Sequence, residues 1–162
     1  MKRFFLVTLS GVLAAESLLA IWHPMSYDIT IRPDEKFSRS VPREPLDAFI
    51  AQLPSIRRTD SPQFVLDEKP KRWMEISLET TDEEGNCVEE DGRTYDTTNC
   101  VRLHIPYAFL GKWPDRDYFP TCFAIADHLG WSVYDEQSGE NIPRAAIASI
   151  TSEPQKSWWR LW

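Results

Sequence analysis

The chain has 162 residues, a formal net charge of −7 and a sequence pI of about 5.0. Hydrophobic residues make up 42% and aromatic residues 12%, which is typical of one globular domain with its own core and excludes a largely disordered chain. Binding to phosphate groups requires an excess of lysine and arginine, so nucleic acid and anionic membranes are disfavoured as ligands. A basic protein is the more natural partner.

The N-terminal residues 1–24 admit two interpretations. A lysine and an arginine precede an apolar run, which is the layout of a secretory signal peptide, although Glu16 interrupts the run and it is short for a transmembrane helix. Alternatively, this stretch is an upstream extension, and a cytosolic domain starts at Met25, directly before a strand. The chain then divides into this extension, one domain over residues 25–150 and a Trp-rich tail over residues 151–162.

Hydrophobic periodicity predicts the elements of the domain, and the predicted strands over residues 27–31, 73–80 and 101–105 alternate apolar and polar side chains. Helix boundaries are predicted from Pro at helix starts and Gly at helix ends. The predicted elements are a strand over residues 27–31, a helix over 45–53, strands over 63–67, 73–80 and 101–105, a helix over 120–129 that Gly130 ends, a strand over 131–134 and a helical turn within 143–150. This order predicts an α+β fold, mainly an antiparallel sheet with helices packed on one face and water on the other.

An acidic segment is the most informative feature of the sequence. Between Glu75 and Asp96 lie nine acidic residues and one base, Arg93, which give the segment a net charge of −8. The segment spans a predicted loop of about twenty residues, and loops of that length are usually functional or mobile. Two turn signals, Gly85-Asn86 and Asp91-Gly92, predict a small hairpin within it.

Two interpretations of the acidic segment remain open. It is either a negative patch that steers a basic partner and pairs with its lysines and arginines, or a solvated loop that aids solubility. A calcium site is weakly supported, because the spacing of acidic residues in calcium loops is absent. On the first interpretation the partner-binding candidates are Glu79, Asp82, Glu83, Glu84, Glu89, Glu90, Asp91 and Asp96.

The sequence contains no recognised catalytic or cofactor-binding motif. G-x-S-x-G, H-E-x-x-H and Gly-rich phosphate loops are absent, and the chain has only six glycines. We therefore predict that the protein is not an enzyme and uses neither cofactor nor metal. A hydrolase of unrecognised type that uses Glu79, Asp82 or His104 remains a minor hypothesis, against a structural role for that histidine.

The three cysteines are too few for a disulfide framework and lack the C-x-x-C spacing of metal sites. Cys122 falls in the apolar pattern of a helix, which predicts a buried thiol. A bridge between Cys87 and Cys100 is conceivable only in an oxidising compartment.

The C-terminal tail holds three of the seven tryptophans, Trp158, Trp159 and Trp162. These rings either fold back onto the domain or anchor the protein to a partner or a membrane surface, because Trp suits both kinds of interface. The sequence does not choose between the two.

Three short phrases of the sequence are similar to a known group of proteins. Met25-Ser26-Tyr27-Asp28, the strand end Leu103-His104-Ile105-Pro106-Tyr107 and the stretch over residues 129–139 (LGWSVYDEQSG) resemble bacterial immunity proteins of polymorphic toxin systems. More narrowly, they resemble those paired with restriction-endonuclease-like nuclease effectors of type VI secretion. The similarity covers residues 25–140 and rests on layout, not on a diagnostic motif.

The resemblance implies an α+β protein that binds one cognate toxin and blocks it without catalysis. The leading hypothesis is thus a cytoplasmic immunity protein that covers the active site or substrate groove of a secreted nuclease. Its acidic patch would stand in for the phosphate backbone that the toxin normally binds. The competing hypothesis is a secreted periplasmic domain that binds an envelope component through its Trp-rich tail.

Overall fold

The computed structural model describes residues 26–60, 63–88 and 95–148, so the predicted extension and the Trp-rich tail lie outside the described residues. The strands are β1 Ser26–Arg32, β2 Val41–Pro42, β3 Ile56–Arg58, β4 Phe64–Glu68, β5 Arg72–Glu79, β6 Thr97–Thr98, β7 Cys100–Pro106, β8 Ser132–Asp135 and β9 Glu140–Asn141. The helices are α1 Arg43–Ile50, α2 Tyr107–Leu110, α3 Pro114–Asp117, α4 Phe119–Leu129 and α5 Ala145–Ala148.

Seven strands form one sheet in the order β3-β4-β5-β7-β1-β8-β9, and β2 pairs with β6 in a second, two-stranded sheet. Every strand pair is antiparallel. The first strand in the sequence therefore lies near the middle of the sheet, between two strands that come more than sixty residues later. The predicted α+β class with a mainly antiparallel sheet is confirmed.

The hydrophobic core lies on one face of this sheet because side chains alternate between the two faces of a strand. The apolar residues of the central strands share it with buried side chains of α1 and α4, so the helices cover that face. The core includes Ile29, Ile31, Leu46, Ile50, Met74, Ile76, Leu78, Leu103, Ile105, Phe119, Cys122 and Ile125. Cys122 is a buried free thiol, as its position in the helical pattern predicts.

The two longest helices begin and end close to the predicted positions. α1 begins at Arg43, directly after Pro42, and not at Pro45 as predicted. α4 ends at Gly130, which adopts a left-handed conformation with φ of 65° and ψ of 36°, the usual C-terminal cap of a helix. None of the described helices is long and apolar enough to cross a membrane.

Both edges of the large sheet are short strands that the periodicity does not reveal. β3 has three residues and β9 has two, too few for an alternating pattern to be recognised. On β3, Arg57 pairs with Asp67 and Arg58 pairs with Asp47, each at 3.0 Å. Short, charged edge strands discourage edge-to-edge association with a second sheet.

Candidate functional site

The face of the sheet opposite the core is polar at its centre. Because of the two-residue period, the same strands that send apolar residues into the core present charged and hydroxyl side chains here. This polar face consists of Asp28 and Thr30 on β1, Glu75, Ser77 and Glu79 on β5, and Arg102 and His104 on β7. Together with Ile29 and Leu103, these residues line a cleft of about 180 Å³.

His104 lies between two carboxylates in the cleft. The register places it opposite Asp28 on one side and opposite Glu75 on the other. Its Nδ1 atom is 2.8 Å from Oδ1 of Asp28, while Oδ2 of the same carboxylate accepts a hydrogen bond from Ser26. An ionised carboxylate can only accept, so Nδ1 donates to Asp28; Nε2 is then an acceptor in the neutral form of the ring and a donor in the imidazolium form.

Glu75 carries the second of these carboxylates, and it is only half-buried. Its Oε1 atom accepts a hydrogen bond of 3.3 Å from the indole N–H of Trp73, two residues earlier on the same face of β5. Within residues 26–60, 63–88 and 95–148, Glu75 has no cationic partner. Its charge is therefore available to a ligand.

Glu79, the first of the predicted partner-binding residues, is neutralised within the protein. Its carboxylate accepts a hydrogen bond of 2.6 Å from Nε of Arg102, and Nη2 of the same guanidinium donates to the carbonyl of Gly85 at 2.7 Å. Burial alone would lower the pKa of Arg102, but the hydrogen bond and the charge of Glu79 outweigh it and raise the pKa. The ion pair thus joins the polar face to the acidic segment.

The acidic segment contains a tight turn over residues 82–86, here called the acidic turn. Thr81 and Cys87 form an antiparallel bridge at its base, so the first turn signal forms a hairpin-like turn as predicted. The carboxylate of Asp82 accepts hydrogen bonds from the backbone N–H of Glu84 at 3.0 Å and of Asn86 at 2.8 Å. Hydrogen bonds from Asn86 hold the pKa of Asp82 below its usual value. Asp82 therefore closes the turn.

The remaining predicted partner-binding residues fall into two groups. Glu83 and Glu84 are exposed in the acidic turn, and Asp96 is exposed just before β6, where its carbonyl accepts from the backbone N–H of Arg43 at 2.8 Å. Glu89, Glu90 and Asp91 lie outside the described residues, as does the second turn signal.

The cleft itself is not apparent from the sequence. Alternation along β5 placed Glu75 on a wet face, but nothing local indicated that Asp28 lies two strands away from it, across His104. The other described histidine is not part of this site: His128 stacks on Phe49, with ring centroids 3.8 Å apart.

The polar face can bind cations and hydrogen-bond donors. Among the described residues, no group of three or more histidine, cysteine or acidic side chains is arranged to hold a metal ion. The three cysteines are free thiols, so the bridge between Cys87 and Cys100 is not formed. Around the cleft, the side-chain atoms that have no hydrogen-bond partner among the described residues are mostly hydrogen-bond acceptors.

Comparisons with known proteins give no match, whether with family models, with curated proteins or with solved structures. What this surface does is therefore inferred from its own residues.

Proposed function

We propose that the protein is an immunity protein that binds a cognate antibacterial toxin with a basic surface, a secreted nuclease. It would neutralise the toxin by covering its active site or substrate groove. The observation that carries the proposal is the polar face, on which, among the residues that the structure describes, the carboxylates of Asp28 and Glu75 have no lysine or arginine partner. The expected likeness of residues 25–140 to immunity proteins, which rests on the layout of the sequence alone, suggested the same function.

Charge complementarity favours a basic protein as the partner. A nuclease surface that binds phosphates is positively charged, and an inhibitor that imitates those phosphates presents carboxylates to it. Glu83 and Glu84 extend the negative charge of the polar face, because Arg102 holds the acidic turn against β7. Nucleic acid is a poor alternative, since the net charge of −7 opposes binding to phosphates.

The compartment forms part of the proposal. An inhibitor of a nuclease protects the cell where the nucleic acid is, so we place this protein in the cytoplasm. If residues 1–20 were instead removed as a signal peptide, the partner would act in the periplasm, and the nuclease assignment would fall. N-terminal sequencing of the protein from its own host decides between the two.

Co-expression with the product of the neighbouring gene tests the function, with cell survival as the readout. The wild-type chain should restore growth, and the double variant Glu83→Gln/Glu84→Gln should associate with that toxin about threefold more slowly at low salt, because surface charge steers the encounter. The matched control is Glu44→Gln/Glu140→Gln, which removes the same charge from exposed positions on α1 and β9.

A toxin that kills equally with and without the chain would contradict the proposal. Equal rates for the acidic-turn variant and its control would contradict the part that the acidic turn plays in it.

A further inference from the structure

We infer that the cleft on the polar face receives one arginine side chain of the partner, held by Glu75, His104 and Asp28. This inference rests on the proposed function, and it names the chemistry that the partner presents to this surface. It also distinguishes residues that contact an arginine of the partner from residues that only add negative charge to the surface.

The hydrogen-bonding groups of the cleft match a guanidinium. Glu75 has a carboxylate oxygen without a partner in the part of the chain that the structure describes. In the neutral form of the His104 ring with its proton on Nδ1, facing Asp28, Nε2 is an acceptor as well. A guanidinium has five N–H donors in a planar fork and no acceptor. A ligand that only donates therefore complements a row of groups that accept.

The charges along β5 show which carboxylate a cation can use. Glu79 is paired with Arg102 at 2.6 Å, so a second cation there would meet the guanidinium already present. Glu75 lies two positions further along the same face, beyond Ser77 and opposite His104, and no lysine or arginine of the described residues forms an ion pair with it. The half-buried setting strengthens a new ion pair relative to one in open water.

The size and framing of the cleft suit a single side chain. Its volume of about 180 Å³ is too small for a folded segment. Trp73 holds Glu75 in place through its indole N–H, and the ammonium of Lys69 lies 3.7 Å from the centre of the Trp73 ring. The acceptors lie on paired strands of a seven-stranded sheet, so their spacing is set before the ligand arrives.

Arginine fits better than lysine for two physical reasons. Its planar fork can contact a carboxylate through two parallel hydrogen bonds, whereas an ammonium is a point charge. The guanidinium is also more weakly hydrated, so less hydration is lost when it enters a half-buried cleft.

The test uses capped tetra-arginine and tetra-lysine peptides, titrated into the full chain at low salt and followed by calorimetry and amide NMR. Tetra-arginine should perturb the amides of residues 28, 75 and 104. Glu75→Gln should weaken its binding about tenfold, which corresponds to the weaker end of measured charge pairs across interfaces. The control is Glu44→Gln on the helix side of the molecule, which should stay within about twofold of wild type.

Glu75→Gln retains an oxygen that can accept a hydrogen bond from Trp73, so the variant should fold, and an unchanged unfolding midpoint would show that it does. Asp28→Asn tests the other carboxylate next to His104. Wild-type affinity in both variants, no binding of tetra-arginine, or equal affinity and equal shifts with tetra-lysine would overturn the inference. Failure of the proposed function is separate: the chain would then not protect cells from the neighbouring toxin, whatever the peptides do. If wild type and Glu75→Gln both protect cells and bind the toxin with equal affinity, the inference that the cleft binds an arginine is contradicted, whereas the proposed function is not.

Discussion

The hydroxyl of Tyr27 on β1 donates a hydrogen bond of 3.0 Å to Oδ2 of Asp135 on β8, and both side chains are buried. Oδ1 of the same carboxylate accepts from the backbone N–H groups of Gln137 at 2.8 Å and Ser138 at 3.3 Å. Three donors thus satisfy a carboxylate that has no exposed surface. The arrangement ties the centre of the sheet to the turn that leads into β9.

The Tyr27 hydroxyl should therefore contribute measurably to stability. Tyr27→Phe removes one of the donors of a buried carboxylate and should lower the free energy of unfolding by about 1–2 kcal/mol. The matched control is Tyr134→Phe on β8, whose hydroxyl makes no hydrogen bond to the described residues and whose ring stacks on Arg32 in either form. Urea denaturation of both variants measures the difference. An equal decrease in the free energy of unfolding in both variants would show that the hydrogen bond from Tyr27 to Asp135 adds nothing to stability.

The amide of Asn99 should hold the acidic turn on the domain. It accepts from the backbone N–H of Thr81 at 2.8 Å and donates to the carbonyls of Thr81 at 2.9 Å and of Phe37 at 3.1 Å. Asn99→Asp replaces the donating amide with a second acceptor and leaves two carbonyls without their donor. We expect a loss of at least about 2 kcal/mol in the free energy of unfolding, against about 0.5 kcal/mol or less for Asn141→Asp on the exposed edge. A small loss at Asn99 would mean that water replaces the amide.

Gly85 is required in the acidic turn for two reasons, and one substitution tests both. Its φ is +85°, and a Cβ atom would lie 3.0 Å from Cε2 of the buried Phe37 ring. Gly130 has a φ of +65° and nothing within 4 Å of the same position. Both alanine variants should lose about 1–2 kcal/mol to backbone strain, and Gly85→Ala should lose about 1 kcal/mol or more in addition through overpacking. Thermal and urea unfolding of the pair isolate the contribution of the Phe37 contact.

Stability should fall steeply above pH 9. Burial raises the pKa of the Cys100 thiol to about 12 and that of Cys122 to about 12, from an ordinary value of 9.0. Burial, together with the charge of Asp135, also raises the pKa of Tyr27. Between pH 9 and pH 12 the unfolded chain therefore releases protons that the folded chain retains, so the free energy of unfolding decreases as pH rises.

Each buried thiol contributes up to about 1.4 kcal/mol per pH unit to this decrease. Urea denaturation at pH 8, 9, 10 and 11 measures the slope. Cys122→Ala should make it shallower, whereas Cys87→Ala, which removes an exposed thiol, should leave it unchanged. The same slope in both variants would contradict the role of the buried thiol.

Local signals in the sequence were sufficient for the longer elements and their faces. The alternation that places Met74 in the core and Glu75 on the polar face follows from the two-residue period of a strand, which is a property of the backbone alone. Gly130 ends α4 because its left-handed conformation is adopted by glycine at little steric cost. These features depend on neighbours within one turn or one strand, so they could be predicted.

The candidate site depended on contacts between distant parts of the chain. Asp28 and His104 are 76 residues apart, and they meet because β1 pairs with β7 in one register. Likewise, Glu79 and Asp82 both belong to the acidic segment, yet one is paired with Arg102 and the other closes a turn, which leaves Glu75 as the carboxylate open to a ligand. Periodicity states which side of a strand faces water but not which strand lies beside it, because strand order and register arise from hydrogen bonds and packing across the whole sheet.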